Sequence, residues 1–291
     1  MRRSDPQADP IEDSLARSIY FRTQIRELSG EPPYLPRTSE EIYHLSSHEI
    51  ENQLWQLLNE TAKVTAATHI LLSALVNGQL TDRECVQDLL RKGLNTRSDL
   101  MAWIDSTPEG WKFVVVPNIN LNNVDQRGSV FPVVPKLISF KDQNHAGIWM
   151  GWWLARIQLA QRLLEIIRCL PQSRADYPLQ ATKELLQADI CSIVNLICAS
   201  TPFLLGDVDQ QGYPSQLNKY HLACPGLAAY YLAHGMSISN QMPGLNPDVR
   251  RFILDTLFRV GHSKGINHAL SSRNDWLEDH PEYDHSQLRT G

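Results

Sequence analysis

Trp149, Trp152 and Trp153 fall on neighbouring positions of one helical stretch, and Arg156 follows Trp152 by four residues. That spacing puts an indole and a guanidinium on the same helix face. The chemistry open to such a set is ligand holding. An aromatic wall grips an apolar ligand or reactive polyene, and the arginine takes its carboxylate or carbonyl oxygen. The same residues also read as core packing with a snorkelling arginine, and the sequence leaves both readings open. Phe203 and His221 complete the pocket candidates; His221 and His234 flank an apolar helix from which either could reach a cavity or serve as a hydrogen-bonded structural residue.

Other chemistries find less support. The ten histidines are dispersed, and His44 with His48 has helical spacing but no third ligand, so no metal is expected. Asp207 and Asp209 form a loop pair too small for a cation site, expected to be solvated. Gly-x-Ser-x-Gly, a P-loop and a strand-borne Gly-x-Gly-x-x-Gly are missing from the chain, which leaves hydrolase, nucleotide and dinucleotide readings without a motif. No cofactor is expected.

These residues need elements to hold them. The strongest is a helix over 142–170, apolar nearly all round through Ile148, Trp149, Trp152, Trp153, Ile157, Leu159, Leu163 and Ile167, hence central to the core. A long helix over 46–77 closes on Gly78. A possible capping box at Thr81–Glu84 opens another that Gly93 ends, and a short helix covers 98–106. Further helices are expected over 180–200, 222–232 and 248–270, the last opened by Pro247-Asp248. Pro202 is read as fixing the exit from the 180–200 helix and Gly206 as releasing it. Before them all, 12–28 is compatible with an amphipathic helix, and Thr38 to Glu41 looks like the cap of a short one. The Pro/Asn-rich excursion around 110–140 contains Phe113 to Val116, but its prolines argue against a sheet. The expected fold is all-α: one antiparallel, bundle-like domain over 12–273, between a disordered 1–11 and a polar, frayed tail over 274–291.

With 291 residues, 42% apolar and 20% charged, the chain can bury a real core, and its net charge is −5 with a pI near 6.1. Lysine and arginine form no long stripe, so the footprint of a duplex-binding surface is missing. No apolar h-region follows Met1, and no uninterrupted apolar run reaches the roughly 18 residues of a membrane span. Five cysteines without a two-residue gap read as buried thiols of a reducing compartment. A soluble, intracellular protein without membrane contact is the expectation.

The run Ile197-Cys-Ala-Ser-Thr-Pro-Phe-Leu-Leu-Gly206, with Gly212-Tyr213 after it, Pro225 beyond, and Gly261, Gly265, Ile266 and Ala269 later, carries a family wording. It resembles the C-terminal half of the fungus-specific regulatory domain found behind zinc binuclear cluster DNA-binding heads. Trp149 to Leu164, with Arg156 and Arg162, resembles that family's Trp-containing helix. The likeness is specific across 143–269 and general from Gln53 to Arg273. Two departures stand out: a frequent Trp-Pro-Leu is Cys224-Pro225-Gly226 here, and a usual Trp-Asn pair is Trp152-Trp153.

The resemblance implies an all-α fold, residence in the nucleus (the cytoplasm is the alternative) and transcriptional control, often of a secondary-metabolite gene cluster. It does not bring DNA binding, because the six-cysteine head is missing from these residues and five scattered cysteines cannot replace it. The expected function is therefore regulation through a DNA-binding partner protein or a small apolar metabolite. The alternative is a pocket recruited as a cofactor-free cyclase, isomerase or pericyclase, where holding a folded substrate supplies most of the acceleration.

Overall fold

A computed structural model describes residues 49–77, 83–118, 136–170, 177–215 and 226–283. The expected helices over 12–28 and after Thr38, and the ends of the chain beyond these ranges, lie outside the described residues. The fold is all-α. Seven α-helices and one two-stranded sheet make up the described chain: α1 (Glu49–Val76), α2 (Arg83–Ser106), β1 (Val114–Pro117), β2 (Lys136–Ser139), α3 (Gln143–Cys169), α4 (Tyr177–Leu204), α5 (Gly226–Asn240), α6 (Pro247–Lys264) and α7 (Asn267–Asp279). They divide into two compact units. One takes in the chain up to Thr107 together with Gly151–Ile190, and the other Pro108–Met150 together with the chain from Cys191 onward. α3 and α4 thus each contribute to both.

In the first unit, α1 and α2 form an antiparallel hairpin. The indole N–H of Trp103, near the end of α2, donates to the carbonyl of Ile50 at the start of α1 (3.1 Å). Leu54, Leu58, Val64 and Leu71 bury one face of α1, following the 3.6-residue period. Helix α2 runs unbroken through Gly93, which was expected to stop it. Glycine serves there as a point of approach: a Cβ at 93 would lie 2.5 Å from Leu163 Cδ2 and 3.4 Å from Val64 Cγ1. A missing side chain lets α2 close on α1 and on α3 at once, and that contact outweighs the low helix propensity of glycine.

In the second unit, β1 and β2 pair antiparallel, with Val115 opposite Ile138 and Val116 opposite Leu137. The expectation of no sheet here is corrected. Pro117 sits at the last position of its strand, where a missing N–H leaves little of the ladder unmade. Helix α5 extends to Asn240, eight residues past its expected end. The expected helix over 248–270 is two. α6 starts with Asn246, whose Oδ1 accepts from Asp248 N–H (2.8 Å), and stops at Gly265 in the left-handed conformation (φ 64°). α7 then folds back on α6 and reaches Asp279, through the first part of the expected frayed tail. Arg250 lies over the Trp276 ring (4.8 Å), and Trp276 stacks on His280 at 4.0 Å.

Every residue of α3 from Trp149 to Ala160 is buried, as expected of a central helix. Over Pro178–Leu204, α4 is long and apolar enough to cross a membrane by length and composition, yet 56% of that stretch is buried inside the protein, as the core helix of a globular fold would be.

Candidate functional site

The candidate residues part into two clusters. Trp152 and Arg156 belong to the first unit. The Trp152 indole N–H donates to Leu100 O (2.8 Å), its ring lies 5.9 Å from that of Trp103, and the Arg156 guanidinium rests over it at 4.4 Å. Trp149 and Phe203 belong to the second. There the Trp149 N–H donates to Trp111 O (2.8 Å), and rings follow one another from Trp149 through Phe113 and Phe140 to Phe203, 4.8, 6.4 and 5.6 Å apart. Trp153 is fully buried. His221 lies outside the described residues. Positions 149 and 152 each spend the indole N–H on a backbone carbonyl of their own unit.

Arg156 is the only charged residue between His145 and Arg162, on a helix otherwise apolar at its centre. Its guanidinium is 7% exposed and forms an ion pair with Asp189 of α4. Asp189 offers its other oxygen to Arg97 of α2 at 3.4 Å. Burial is the chief influence on Arg156 and pushes its pKa down; Asp189 works the other way, and the Arg97 charge again lowers it. Arginine stays protonated in proteins, so Arg156 and Arg97 can hold an oxyanion but cannot act as bases. Arg97 and Asp189 were not singled out from the sequence. The available signal was Asp189 itself, the last charge before an uncharged run from Ile190 to Gly206.

The resemblance-bearing run forms a built helix end. α4 passes through Pro202 and continues to Leu204, so the proline sits inside the last turn and does not mark the exit. Gly206 N–H donates to Phe203 O (3.0 Å) and Asp207 N–H to Pro202 O (2.8 Å), with Gly206 at φ 75°. These two bonds make a Schellman closure, in which glycine avoids the Cβ clash of the left-handed region. The Asp207 carboxylate, almost fully buried, then accepts from Arg259 of α6 at 2.6 and 2.7 Å. Asp209 accepts from the N–H groups of Gln211 and Tyr213, both at 2.9 Å. The loop so formed docks on the small sheet, where a Cβ at Gly212 would lie 2.8 Å from Val116 Cγ2. The expectation of a solvated acid pair is corrected for Asp207, an internal counter-charge; Asp209 is exposed, as expected, and shapes the turn.

A third arrangement was not foreseen. Asp142 precedes α3 and accepts from the backbone N–H of His145 (2.9 Å), while the His145 ring lies 2.8 Å from the same carboxylate through Nδ1 and 4.7 Å from the Trp111 ring. Burial is the largest single influence on Asp142 and opposes ionisation. The hydrogen bonds and charge of His145, with the N–H of Asn144, outweigh it together and hold the carboxyl below its ordinary 3.8. In the tautomer that donates Nδ1–H to Asp142, Nε2 is the basic nitrogen.

The thiols also depart from expectation. Cys198 is buried, and burial pushes it up to about 12, but Cys85 and Cys191 are exposed and Cys169 is intermediate; Cys224 lies outside the described residues. Among the described residues no group of three or more His, Cys, Asp or Glu side chains could hold a metal ion. No protein-family model matches the chain, and no curated protein or solved structure matches it significantly.

Proposed function

We propose that this chain is the regulatory body of a fungal-type transcription regulator, acting in the nucleus on a secondary-metabolite gene cluster through a partner that reads the DNA. The observation that carries the reading is the built end of α4. The residues that resemble the fungal regulatory domain, from Ile197 to Tyr213, are the ones that close this helix, anchor Asp207 on Arg259 and seat the loop on the sheet. Family wording that coincides with structural necessity fits a shared helical body. The 291 residues carry no six-cysteine zinc cluster, so base reading falls to something outside them. The indole N–H groups of Trp149 and Trp152 support the same reading, because both serve the fold.

A second reading rests on the Asp142–His145 pair. An imidazole oriented by a carboxylate beside Trp111 is the kind of group that a cofactor-free cyclase or isomerase uses as a general base. Deleting the gene separates the two. Regulation predicts a loss of pathway transcripts, whereas catalysis predicts intact transcripts and the accumulation of one intermediate.

A further inference from the structure

The cluster of Arg97, Asp189 and Arg156 is one acid short. Two guanidiniums share a single carboxylate, each takes one of its oxygens, and neither receives the two-pronged contact that arginine makes with a dedicated partner. The Nε–H groups of both arginines are buried and donate to no partner, and Arg156 as a whole is 7% exposed. Burying an unmatched positive charge is costly where nothing returns it. The side chains of Arg97 and Asp189 keep 20% and 11% of their surface in solvent, so the cluster is reachable at their end. Because Arg156 rests on the Trp152 ring, with Trp103 beside it, whatever its guanidinium holds lies next to indole surface.

We propose that these residues form a binding site for a monoanionic organic carboxylate with an aromatic or apolar body, held by Arg97 and Arg156 alongside Asp189. The charge count selects the ligand: one negative charge neutralises the cluster, whereas a phosphate ester brings about 1.5 to 2 near neutral pH and overshoots. A carboxylate gives one oxygen to each guanidinium, the arrangement that Asp189 already shows. This names the ligand to which the regulatory body responds; it rests on that reading for its role, but not for its binding chemistry.

The test is calorimetric titration of the purified full chain with benzoate, with benzamide as neutral isostere and with inorganic phosphate. Benzoate should bind saturably, benzamide should not, and phosphate should bind at least about tenfold more weakly than benzoate. Arg97→Gln should weaken benzoate about tenfold or more, and Asp189→Asn should tighten it, because the internal competitor is gone. Should Arg97→Gln fail to fold, Arg97→Lys keeps the charge and removes the Nε–H, and it should weaken benzoate too. Absence of saturable benzoate binding, unchanged affinity in the folded Arg97 variant, equal binding of benzamide, or phosphate binding more tightly than benzoate would each overturn the proposal. Benzoate binding without any effect of gene deletion on transcripts would leave this site standing and count against the regulator. Transcript loss without benzoate binding would do the reverse.

Discussion

Asp207 and Arg259 are separated by 52 residues, and each is placed by something simple: the aspartate by the closure of α4, the arginine by the buried side of α6. Their fork-to-fork contact is largely out of water, so removing one partner leaves a buried charge behind. Asp207→Ala should lower unfolding stability by about 3–5 kcal/mol, and the double variant with Arg259→Ala should recover a good part of it. Denaturant unfolding of the two single variants and the double variant measures this coupling. Equal losses that simply add would remove the argument. A second consequence at this scale concerns pH. Asp142 has a folded pKa below its ordinary 3.8, so its contribution is present above that value and lost as pH falls through the folded one. The advantage in melting temperature of the natural chain over Asp142→Asn should therefore shrink on acidification below 3.8, and a constant difference would contradict it. Nearly half of the Asp142 side chain is in solvent, so the effect is modest. Single residues were only partly legible beforehand. Arg156 stood out as the one charge on an apolar helix, but its partners come from 33 and 59 positions away in sequence, and no local pattern announces a pairing at that distance.

Helices were read most surely where burial alone decides them. α1 and α3 were legible from their periodicity to within about three residues, because a continuous apolar face has only one regular way to be buried. Glycine and proline misled for a physical reason: each reports a local backbone freedom, while the protein also uses them for contact. Gly93 reads as a stop and is a helix crossing point, whereas Gly265 does end α6 yet was passed over because apolar residues continue through Ile266 and Ala269. Gly147 in α3 belongs with Gly93. A Cβ there would lie 2.6 Å from Cε2, Cζ and Oη of Tyr231 on α5. Alanine would gain about 1 kcal/mol of helix propensity, but crowding a packed ring costs about 1–3 kcal/mol. Gly147→Ala should therefore destabilise by up to about 2 kcal/mol, seen as a lower melting temperature; an unchanged or higher one would show that the ring moves aside freely.

At the scale of the whole molecule, the all-α class was legible because helical periods fill most of the chain. Function was less so. The residues carrying the resemblance shape a helix end and a docked loop, the residues chosen for an aromatic wall divide between two surroundings, and the carboxylate expected from a ligand on Arg156 is supplied in part by Asp189. The regulator we propose rests on the first of these features, and the acid-binding site on the last. The direct measurement is RNA from the genes of the proposed biosynthetic cluster, in a strain lacking this reading frame and in the same strain with the full chain restored. Regulation requires those transcripts to fall together in the first and return in the second. Unchanged transcripts accompanied by the build-up of one pathway intermediate would contradict the account and hand the chain to catalysis.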